Sequence, residues 1–306
     1  MKYFITGITG LIGSNLAKTI IANGDTIVAP VRNLEKAQAM FPKGVELFEC
    51  VLEKKIHYKG NIDYIIHCAS PTASKYFIKN PVETIDTIVC GTKNVLELAV
   101  KLKPKSVLYL SSMEVYGASS TDEPITEDKQ FFMDPLNVRS SYSMGKRIAE
   151  TLCESYLKEY HVPIKIARLA QTIGEKILPD DNRVVAQFLR SIWDNKDIEI
   201  ETDGLSKQTY ISVHDSITGI LTILTEGKDG EAYNVADTDS YCSILDLAKL
   251  IRTVSGSDIK IHTYCGDEDK YPPNRMNKID NTKLLHLGWS VTQTLEESLT
   301  KLWKNR

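Results

Sequence analysis

Residues 2–13 read KYFITGITGLIG, and this stretch decides the fold. Residues 2–6 are mostly apolar and predict a buried strand. Gly7, Gly10 and Gly13 follow at once, and apolar residues then recur at helical spacing over residues 11–23. A strand that turns on glycines into a helix lets the backbone approach a phosphate group, whose charge the helix N-terminus favours. The stretch therefore predicts a dinucleotide-binding turn.

The turn assigns a short set of residues to the cofactor: Gly7, Thr9, Gly10, Leu11, Ile12 and Gly13. An enzyme that uses NAD usually carries an acid after the second strand, where it binds the adenosine ribose. Here the second strand, residues 26–31, is followed by Arg32 instead. A guanidinium at that place suits the 2′-phosphate of NADP. We therefore expect NAD or NADP, and Arg32 favours NADP.

Short apolar runs alternate with amphipathic stretches as far as residue 170. Strands are predicted over residues 2–6, 26–31, 45–51, 63–69, 106–112 and 163–170, and helices over residues 11–23, 81–101 and 140–160. Such alternation predicts an α/β fold, a Rossmann-type doubly wound parallel sheet covered by helices on both faces.

The pattern loosens after Ala170. We expect a loop at residues 174–182, helices at 183–194 and 215–225, short strands near Ile198 and Tyr210, and a late sheet strand at 231–236. Residues 1–170 are therefore predicted to form the dinucleotide-binding domain, with a segment near 208–236 returning to the sheet. Residues 171–207 and 237–306 are predicted to form a smaller C-terminal substrate-binding lobe.

A catalytic group is predicted between these parts. Ser112 ends the fifth strand at the carboxyl edge of the sheet, while Tyr142 and Lys146 lie four residues apart and so share one helix face. A nearby ammonium lowers the pKa of a phenol and favours the phenolate. Tyr142 can then exchange a proton with a substrate hydroxyl that Ser112 holds, while Lys146 holds the nicotinamide ribose and hydride passes between the substrate and the nicotinamide.

The order of glycine turn, strand-end serine and Tyr-xxx-Lys resembles the extended short-chain dehydrogenase/reductases over nearly the whole chain. The motifs HCASP (67–71), SMEVYG (112–117), RSSY (139–142) and DNRVV (181–185) are similar to the nucleotide-sugar branch of that family. Within it, UDP-glucuronate decarboxylases look most similar, followed by 4-epimerases and 4,6-dehydratases. The resemblance implies NAD(P), a nucleoside-diphosphate sugar and a transient 4-keto sugar. It also assigns Val51, Cys68, Ala69 and Ser70 to the cofactor.

The resemblance gives further residues a role. Glu114 matches the acid that decarboxylases and dehydratases place beside the sugar, whereas Met113 stands where dehydratases tend to have an aspartate. Gln171 stands where the family usually has an asparagine that contacts the diphosphate, and Gln208 stands where it usually has an arginine. Lys207, Arg183 and Arg275 are the cations expected to serve the diphosphate instead.

Three functions follow from these residues. The leading prediction is an enzyme that oxidises a nucleotide sugar at C4 and returns the hydride, which makes it an epimerase or a decarboxylase. An NADPH-dependent keto-sugar reductase, favoured by Arg32, is the alternative. The third possibility is a non-catalytic dinucleotide-sensing regulator, but such a protein does not need Tyr142 and Lys146. In the resembled family the two long helices pair across a two-fold axis, so we expect a homodimer.

Composition excludes other classes. The 306 residues contain 37 basic and 40 acidic side chains and 42% hydrophobic residues, so we expect a large core and no nucleic-acid partner. No signal peptide or membrane-length apolar run is seen. The six cysteines, which include Cys265, are scattered without a CxxC pair, so we expect a reduced cytoplasmic protein without a metal site.

Overall fold

The computed structural model describes residues 1–177, 181–264 and 274–305. Its strands are β1 (Lys2–Thr6), β2 (Thr26–Val31), β3 (Val45–Glu49), β4 (Tyr64–His67), β5 (Ser106–Ser112), β6 (Ile164–Leu169), β7 (Gln171–Ile173), β8 (Ile198–Ile200), β9 (Lys207–Gln208), β10 (Tyr210–Ser212), β11 (Ala232–Val235), β12 (Cys242–Ser243), β13 (Ile261–Thr263) and β14 (Met276–Asn277). Its helices are α1 (Leu11–Ala22), α2 (Leu34–Met40), α3 (Ser74–Lys79), α4 (Pro81–Leu102), α5 (Ser140–Tyr160), α6 (Val184–Trp193), α7 (Val213–Glu226), α8 (Ile244–Ser255), α9 (Thr282–Leu285) and α10 (Leu295–Lys304).

Seven strands form one parallel sheet in the order β11-β6-β5-β4-β1-β2-β3. The chain winds outward from β1 in one direction through β2 and β3, and in the other direction through β4, β5 and β6. The winding therefore reverses between β1 and β4, and this is where a doubly wound sheet opens a crevice for ligands. The predicted fold class is confirmed.

Helices cover both faces of the sheet. On one face α1 and α7 pack through residues such as Leu16 and Ile220, and Trp289 from the C-terminal part joins them. On the other face α4 and α5 pack side by side, with Ile88 and Ala149 buried. The strands between them are apolar in continuous runs because neither side faces water.

The C-terminal part has an apolar cluster of its own. Phe188 of α6, Leu247 of α8 and Leu299 of α10 meet there with Ile173 and Ile198. The late strand β11 joins the edge of the main sheet beside β6, whereas β10 pairs with β7 in a separate two-stranded sheet. The division of the chain into two lobes at residue 170 stays a prediction.

Several predicted ends were too long. The strand predicted to reach Val51 ends at Glu49, because β3 has only β2 as a partner and β2 ends opposite Glu49 at Val31. The strand predicted over residues 63–69 is also shorter and spans Tyr64–His67. Asp63 still makes backbone hydrogen bonds to Lys2 and Lys105, whereas beyond His67 a side chain replaces the backbone acceptor. The Asp63 carboxylate accepts from the Lys2 amide at 2.8 Å, and the Ala69 amide donates to the Thr6 hydroxyl at 3.1 Å.

The short helices α2 and α3 were not predicted. Each has fewer than two full turns of periodic sequence, and α2 begins because the Asn33 side chain accepts from the Lys36 amide at 2.8 Å. The predicted loop at residues 174–182 extends over 178–180, which lie outside the described residues, as does Cys265. Among the described residues, five cysteines are free thiols and no group suited to a metal ion is found. None of the described helices is long and apolar enough to cross a membrane.

Candidate active site

The glycine turn after β1 can be built only from glycine at two positions. Gly7 has φ +69°, and a Cβ there would lie 2.8 Å from the backbone of Ala69. A Cβ on Gly13 would lie 2.3 Å from the carbonyl oxygen of Gly7. The turn is closed by the Gly10 amide, which donates to that same oxygen at 3.0 Å. The first turn of α1 is therefore pressed against the end of β1, with no side chain between them.

The N-terminus of α1 presents unpaired amide groups. Gly10 is its N-cap residue and supplies no side-chain cap, and the first turn carries no acid. The amides of Leu11, Ile12 and Gly13 belong to the helix start, where intrahelical partners do not exist. Amide donors on a bare glycine cradle, at the positive end of a helix dipole, fit the pyrophosphate of a dinucleotide.

A buried hydrogen-bond chain holds the ends of β1 and β4 together under this turn. The Ala69 amide donates to Thr6 Oγ1, which contacts His67 Nδ1 at 2.7 Å, while His67 Nε2 contacts Thr92 Oγ1 at 3.1 Å. Thr92 donates onward to the Ile88 carbonyl at 2.5 Å, so Nε2 carries the proton. Burial, aided by the Lys146 charge, lowers the pKa of His67 to about 3, and the ring stays neutral.

Sequence reasoning missed Thr6 and Thr92 and gave His67 no role. A signal was present, since Thr6 and His67 are polar residues that end neighbouring strands in register. The carboxyl ends of neighbouring parallel strands lie together, so polar side chains at these ends are expected to contact one another.

The other predicted cofactor residues follow the ends of neighbouring strands. Cys68, Ala69 and Ser70 follow β4, beside the glycine turn, and Arg32 and Val51 follow β2 and β3. Burial raises the pKa of Cys68 to about 12, although the Lys146 charge lowers it, so the thiol stays protonated. Arg32 is exposed, and within residues 1–177, 181–264 and 274–305 it has no ion-pair partner.

The predicted catalytic residues meet where β5 ends against α5. The Ser112 hydroxyl lies near the phenol of Tyr142, and both side chains lie beside the short 3₁₀ helix Met113–Tyr116 that carries Glu114. Burial raises the pKa of Tyr142 to about 12, the Glu114 charge raises it as well, and the Ser112 hydrogen bond acts in the opposite direction.

The expected effect of Lys146 on the phenol was wrong for this structure. Lys146 Nζ donates to the Leu110 carbonyl at 2.6 Å, and it lies 5.9 Å from the centre of the Tyr142 ring. Burial therefore dominates the pKa of Tyr142, which moves up and not down. Burial also lowers the pKa of Lys146 to about 8, although Glu150 and two nearby thiols, Cys68 and Cys153, raise it. The ammonium is present below pH 8 and is lost above it.

A third group of side chains extends the site around Glu114. Arg275 Nη1 lies 3.7 Å from Glu114 Oε2, and Ser143 Oγ lies 3.5 Å from the same oxygen. The Nε of Arg275 is buried and has no hydrogen-bond partner among the residues that the structure describes. These three side chains line a cavity of about 160 Å³ together with Asn137 and Ser140. The structure thus brings Arg275 to Glu114.

Two of the other cations expected at the diphosphate are engaged elsewhere. The Arg183 guanidinium binds Asp181 through two nitrogens, at 3.0 and 2.6 Å, and also donates to the Thr172 carbonyl. Lys207 Nζ binds Asp122 at 3.0 Å. Gln171 begins β7, where its amide donates to the Thr209 carbonyl at 3.1 Å.

A larger groove of about 770 Å³ lies between residues 237–246 and 291–296, and it is lined by none of the predicted catalytic residues. The site is therefore assigned by its chemistry and not by cavity size.

Comparison with known proteins agrees with this geometry. Residues 3–236 match the NAD dependent epimerase/dehydratase family. This chain belongs to that family. The predictions of an NAD(P)-dependent oxidoreductase of the nucleotide-sugar epimerase/dehydratase type, and of NAD as a cofactor, are thereby confirmed.

Two relatives of this epimerase/dehydratase-family chain are UDP-glucuronic acid decarboxylases. It is 30% identical over 309 residues to UDP-glucuronic acid decarboxylase 2 of Arabidopsis thaliana, covering all of this chain and 68% of the relative. It is 29% identical to UDP-glucuronic acid decarboxylase 1 of Xenopus tropicalis over 303 residues, 98% of this chain and 70% of the relative.

Solved structures show the same fold. UDP-glucose 4-epimerase of Thermotoga maritima, solved with UDP-glucose, has a TM-score of 0.87 at 22% identity, over 100% of this chain and 98% of the other. UDP-glucuronic acid 4-epimerase of Bacillus cereus, solved with UDP-glucuronic acid and NAD, has a TM-score of 0.82 at 22% identity, over 100% and 98%.

Proposed function

We propose that this enzyme oxidises C4 of a nucleoside-diphosphate sugar that carries a carboxylate on C5, and then releases that carboxylate as CO₂. UDP-glucuronic acid is the substrate we favour. The observation that carries the proposal is the pair of Glu114 and Arg275, 3.7 Å apart, beside Ser112 and Tyr142. The curated relatives named UDP-glucuronic acid decarboxylase support the same choice.

The first half of the reaction needs the Ser112 and Tyr142 pair. Ser112 hydrogen-bonds the sugar C4 hydroxyl and the phenol together, and Tyr142 takes the hydroxyl proton as C4 is oxidised. When bound on the glycine turn, NAD supplies the hydride acceptor and later the hydride donor. Lys146, whose ammonium lies 5.9 Å from the centre of the Tyr142 ring, is the residue that we assign to the nicotinamide ribose.

The second half of the reaction needs Arg275 and Glu114. A 4-keto group makes the C5 carboxylate a β-keto acid, so the bond from C5 to the carboxyl carbon breaks, CO₂ leaves, and the electron pair forms an enolate across C4 and C5. Before CO₂ leaves, the planar Arg275 guanidinium binds the C5 carboxylate of the substrate. Glu114, which lies 3.7 Å from Arg275 and 3.5 Å from Ser143, relays the proton that C5 then takes up.

Product analysis tests the proposal. The purified enzyme is given UDP-glucuronic acid and NAD, and CO₂ and the nucleotide sugars are measured. Release of one CO₂ for each UDP-pentose formed supports decarboxylation. Conversion to another UDP-hexuronic acid without release of CO₂ would make the chain an epimerase. Conversion of UDP-glucose but not of UDP-glucuronic acid would contradict the proposal that Arg275 binds a substrate carboxylate. Gln171, Arg183 and Lys207 stay predictions for the diphosphate.

The Glu114→Gln enzyme should still oxidise the sugar but complete the reaction slowly. We expect turnover to fall roughly 10²-fold, the lower end of the range for a lost acid or base. Reduced nicotinamide should accumulate in a single turnover, because oxidation at C4 does not need Glu114. Absorbance of the reduced cofactor and CO₂ release measure the two steps separately.

The exposed Glu123, changed to Gln, is the matched control and should behave as wild type. If Glu114→Gln forms the final product at the wild-type rate, Glu114 has no catalytic role in the reaction.

An NADPH-dependent keto-sugar reductase is the second candidate, because Arg32 is exposed and could bind a 2′-phosphate without leaving an ion pair in the described part of the chain. We expect NADP to bind within tenfold of NAD, and Arg32→Ala to weaken NADP alone by about tenfold, near 1.4 kcal/mol. Fluorescence titration of both cofactors measures this, with Lys36→Ala as the control for a lost surface cation. Wild-type affinity for NAD at least tenfold above that for NADP would contradict the role given to Arg32.

We infer that the enzyme forms a homodimer through α4 and α5. Val82, Ile85 and Val89 lie along one side of α4, and Ile148 and Leu152 lie along one side of α5; Val82, Ile85 and Ile148 are 65%, 40% and 47% exposed. Two such helix pairs can bury these side chains in an isologous four-helix contact.

Light scattering at micromolar protein should give the mass of two chains. The double variant Ile85→Asp with Ile148→Asp should give one chain, because each charge would be buried without a partner. Leu205→Asp, at an exposed apolar residue elsewhere, should stay dimeric. A wild-type monomer would reject the dimer.

A further inference from the structure

Helix α3 directs one side chain into the protein. Phe77 is 7% exposed, whereas its neighbours Tyr76 and Ile78 are 39% and 53% exposed. The helix is only six residues long and lies between β4 and α4, so it contributes little to the core beyond this ring. The position of Phe77 is therefore the main consequence of having α3 in the fold.

We propose that Phe77 is a positioning residue for Tyr142, whose phenol it covers on one face. The two rings lie nearly parallel, at 7°, with centres 4.5 Å apart. Tyr142 is 8% exposed, so the stacked ring occupies a place that water would otherwise take. Phe77 contacts the face of the phenol, and Ser112 lies near its hydroxyl.

The stack acts on the charged form of Tyr142 more than on the neutral form. A phenolate is stabilised by water, and an apolar ring against its face removes part of that hydration. The faces of both rings also carry the negative part of the aromatic quadrupole, which disfavours added negative charge on either ring. Burial is the largest cause of the raised pKa of Tyr142, in agreement with this contact.

The charged and titratable groups around the phenol do not lie on α3. Glu114, Lys146 and Tyr109 surround Tyr142 from the 3₁₀ helix, from α5 and from β5. On α3 itself Lys75 and Lys79 are exposed. The α4 residues buried against this side of the sheet, such as Ile88, carry no charge. A change at Phe77 therefore alters hydration and ring position without removing any charge near the phenol.

The test measures the ionisation of residue 142 directly in the dinucleotide-bound enzyme. 3-Fluorotyrosine is incorporated, and the ¹⁹F resonance of residue 142 is assigned by its loss in Tyr142→Phe. In Phe77→Leu the midpoint of its pH titration should fall by about one unit, a tenfold rise in phenolate at a given pH. The rate of sugar oxidation should reach its plateau at a correspondingly lower pH. Phe77→Tyr, which keeps a ring at this place, should retain the wild-type profile of oxidation against pH.

Phe41→Leu is the matched control, since Phe41 is 8% exposed but packs on the opposite face of the sheet. Its titration of residue 142 should equal that of wild type. An unchanged midpoint in Phe77→Leu, or the same shift in Phe41→Leu, would overturn the proposal. If Phe77→Leu does not fold, Phe77→Met replaces it, with the same two outcomes. The titration needs no sugar, so its result is independent of which nucleotide sugar the enzyme uses.

Discussion

The Tyr142→Phe enzyme should turn over its nucleotide sugar roughly 10²–10⁴ times more slowly than wild type, the range for loss of a general acid or base. The change removes the hydroxyl that exchanges a proton with the sugar and leaves the ring in place. Because Phe77 stacks on that ring at 4.5 Å, the substituted side chain keeps its main contact, and the fold should be unaffected.

Binding separates this loss from damage to the site. The affinity for NAD should stay near the wild-type value, because the glycine turn and the hydrogen-bond chain from Thr6 to Thr92 are untouched. Steady-state rates and a cofactor titration on the same preparation measure both quantities. Tyr156→Phe, in a partly buried tyrosine farther along the same helix, is the control. Full activity in Tyr142→Phe would rule out the mechanism.

The Glu150→Gln enzyme should lose about 3–5 kcal/mol of stability, as expected when one partner of a buried ion pair is removed. Glu150 binds Arg168 through two hydrogen bonds, at 3.0 and 2.7 Å, and the two side chains are only 12% and 13% exposed. Burial lowers the pKa of Arg168, but Glu150 outweighs it and the net pKa is raised. An arginine in a protein stays charged even without that carboxylate, so the variant leaves a buried charge without its main partner.

Urea unfolding measures this loss. Glu154→Gln, which removes a partner from the exposed pair with Lys158 on the same helix, should cost under about 1 kcal/mol. Arg168 also binds the Tyr116 hydroxyl at 3.1 Å, so the 3₁₀ helix that carries Glu114 should loosen and activity should fall as well. Equal losses in the two variants would show that burial of the Glu150 pair has no special weight.

The fold could be predicted because its signals are local. The glycine turn follows β1 without a gap, and the sheet strands are apolar runs whose order is set by the helices between them. The short helix α3 could not be predicted, since six residues carry too little periodicity. Because α3 was not predicted, the burial of Tyr142 by Phe77 was not predicted either. This is one reason why the pKa of Tyr142 was expected to fall, whereas burial raises it.

The catalytic residues on β5 and α5 were predictable from motif spacing, but the partners of the cations were not. Lys207 binds Asp122, and those residues are 85 positions apart. Arg183 binds Asp181 in its own loop, and Arg275 reaches Glu114 from the C-terminal part of the chain. Such ion pairs depend on which loops lie next to each other in the folded chain. Motif spacing in the sequence does not predict those neighbours.

The strand order has a consequence for how the protein is made. β6 ends at Leu169, but β11, the strand that covers its outer edge, begins at Ala232. During synthesis β6 is therefore the edge strand of the sheet, and the backbone groups on its outer side stay unpaired until β11 has been translated. Asn234 of β11 also donates to the carbonyls of Ile125 and Asp280, so the edge is locked only when nearly the whole chain is present. We expect nascent chains that stall before β11 to depend on chaperones, because an open strand edge pairs readily with other chains.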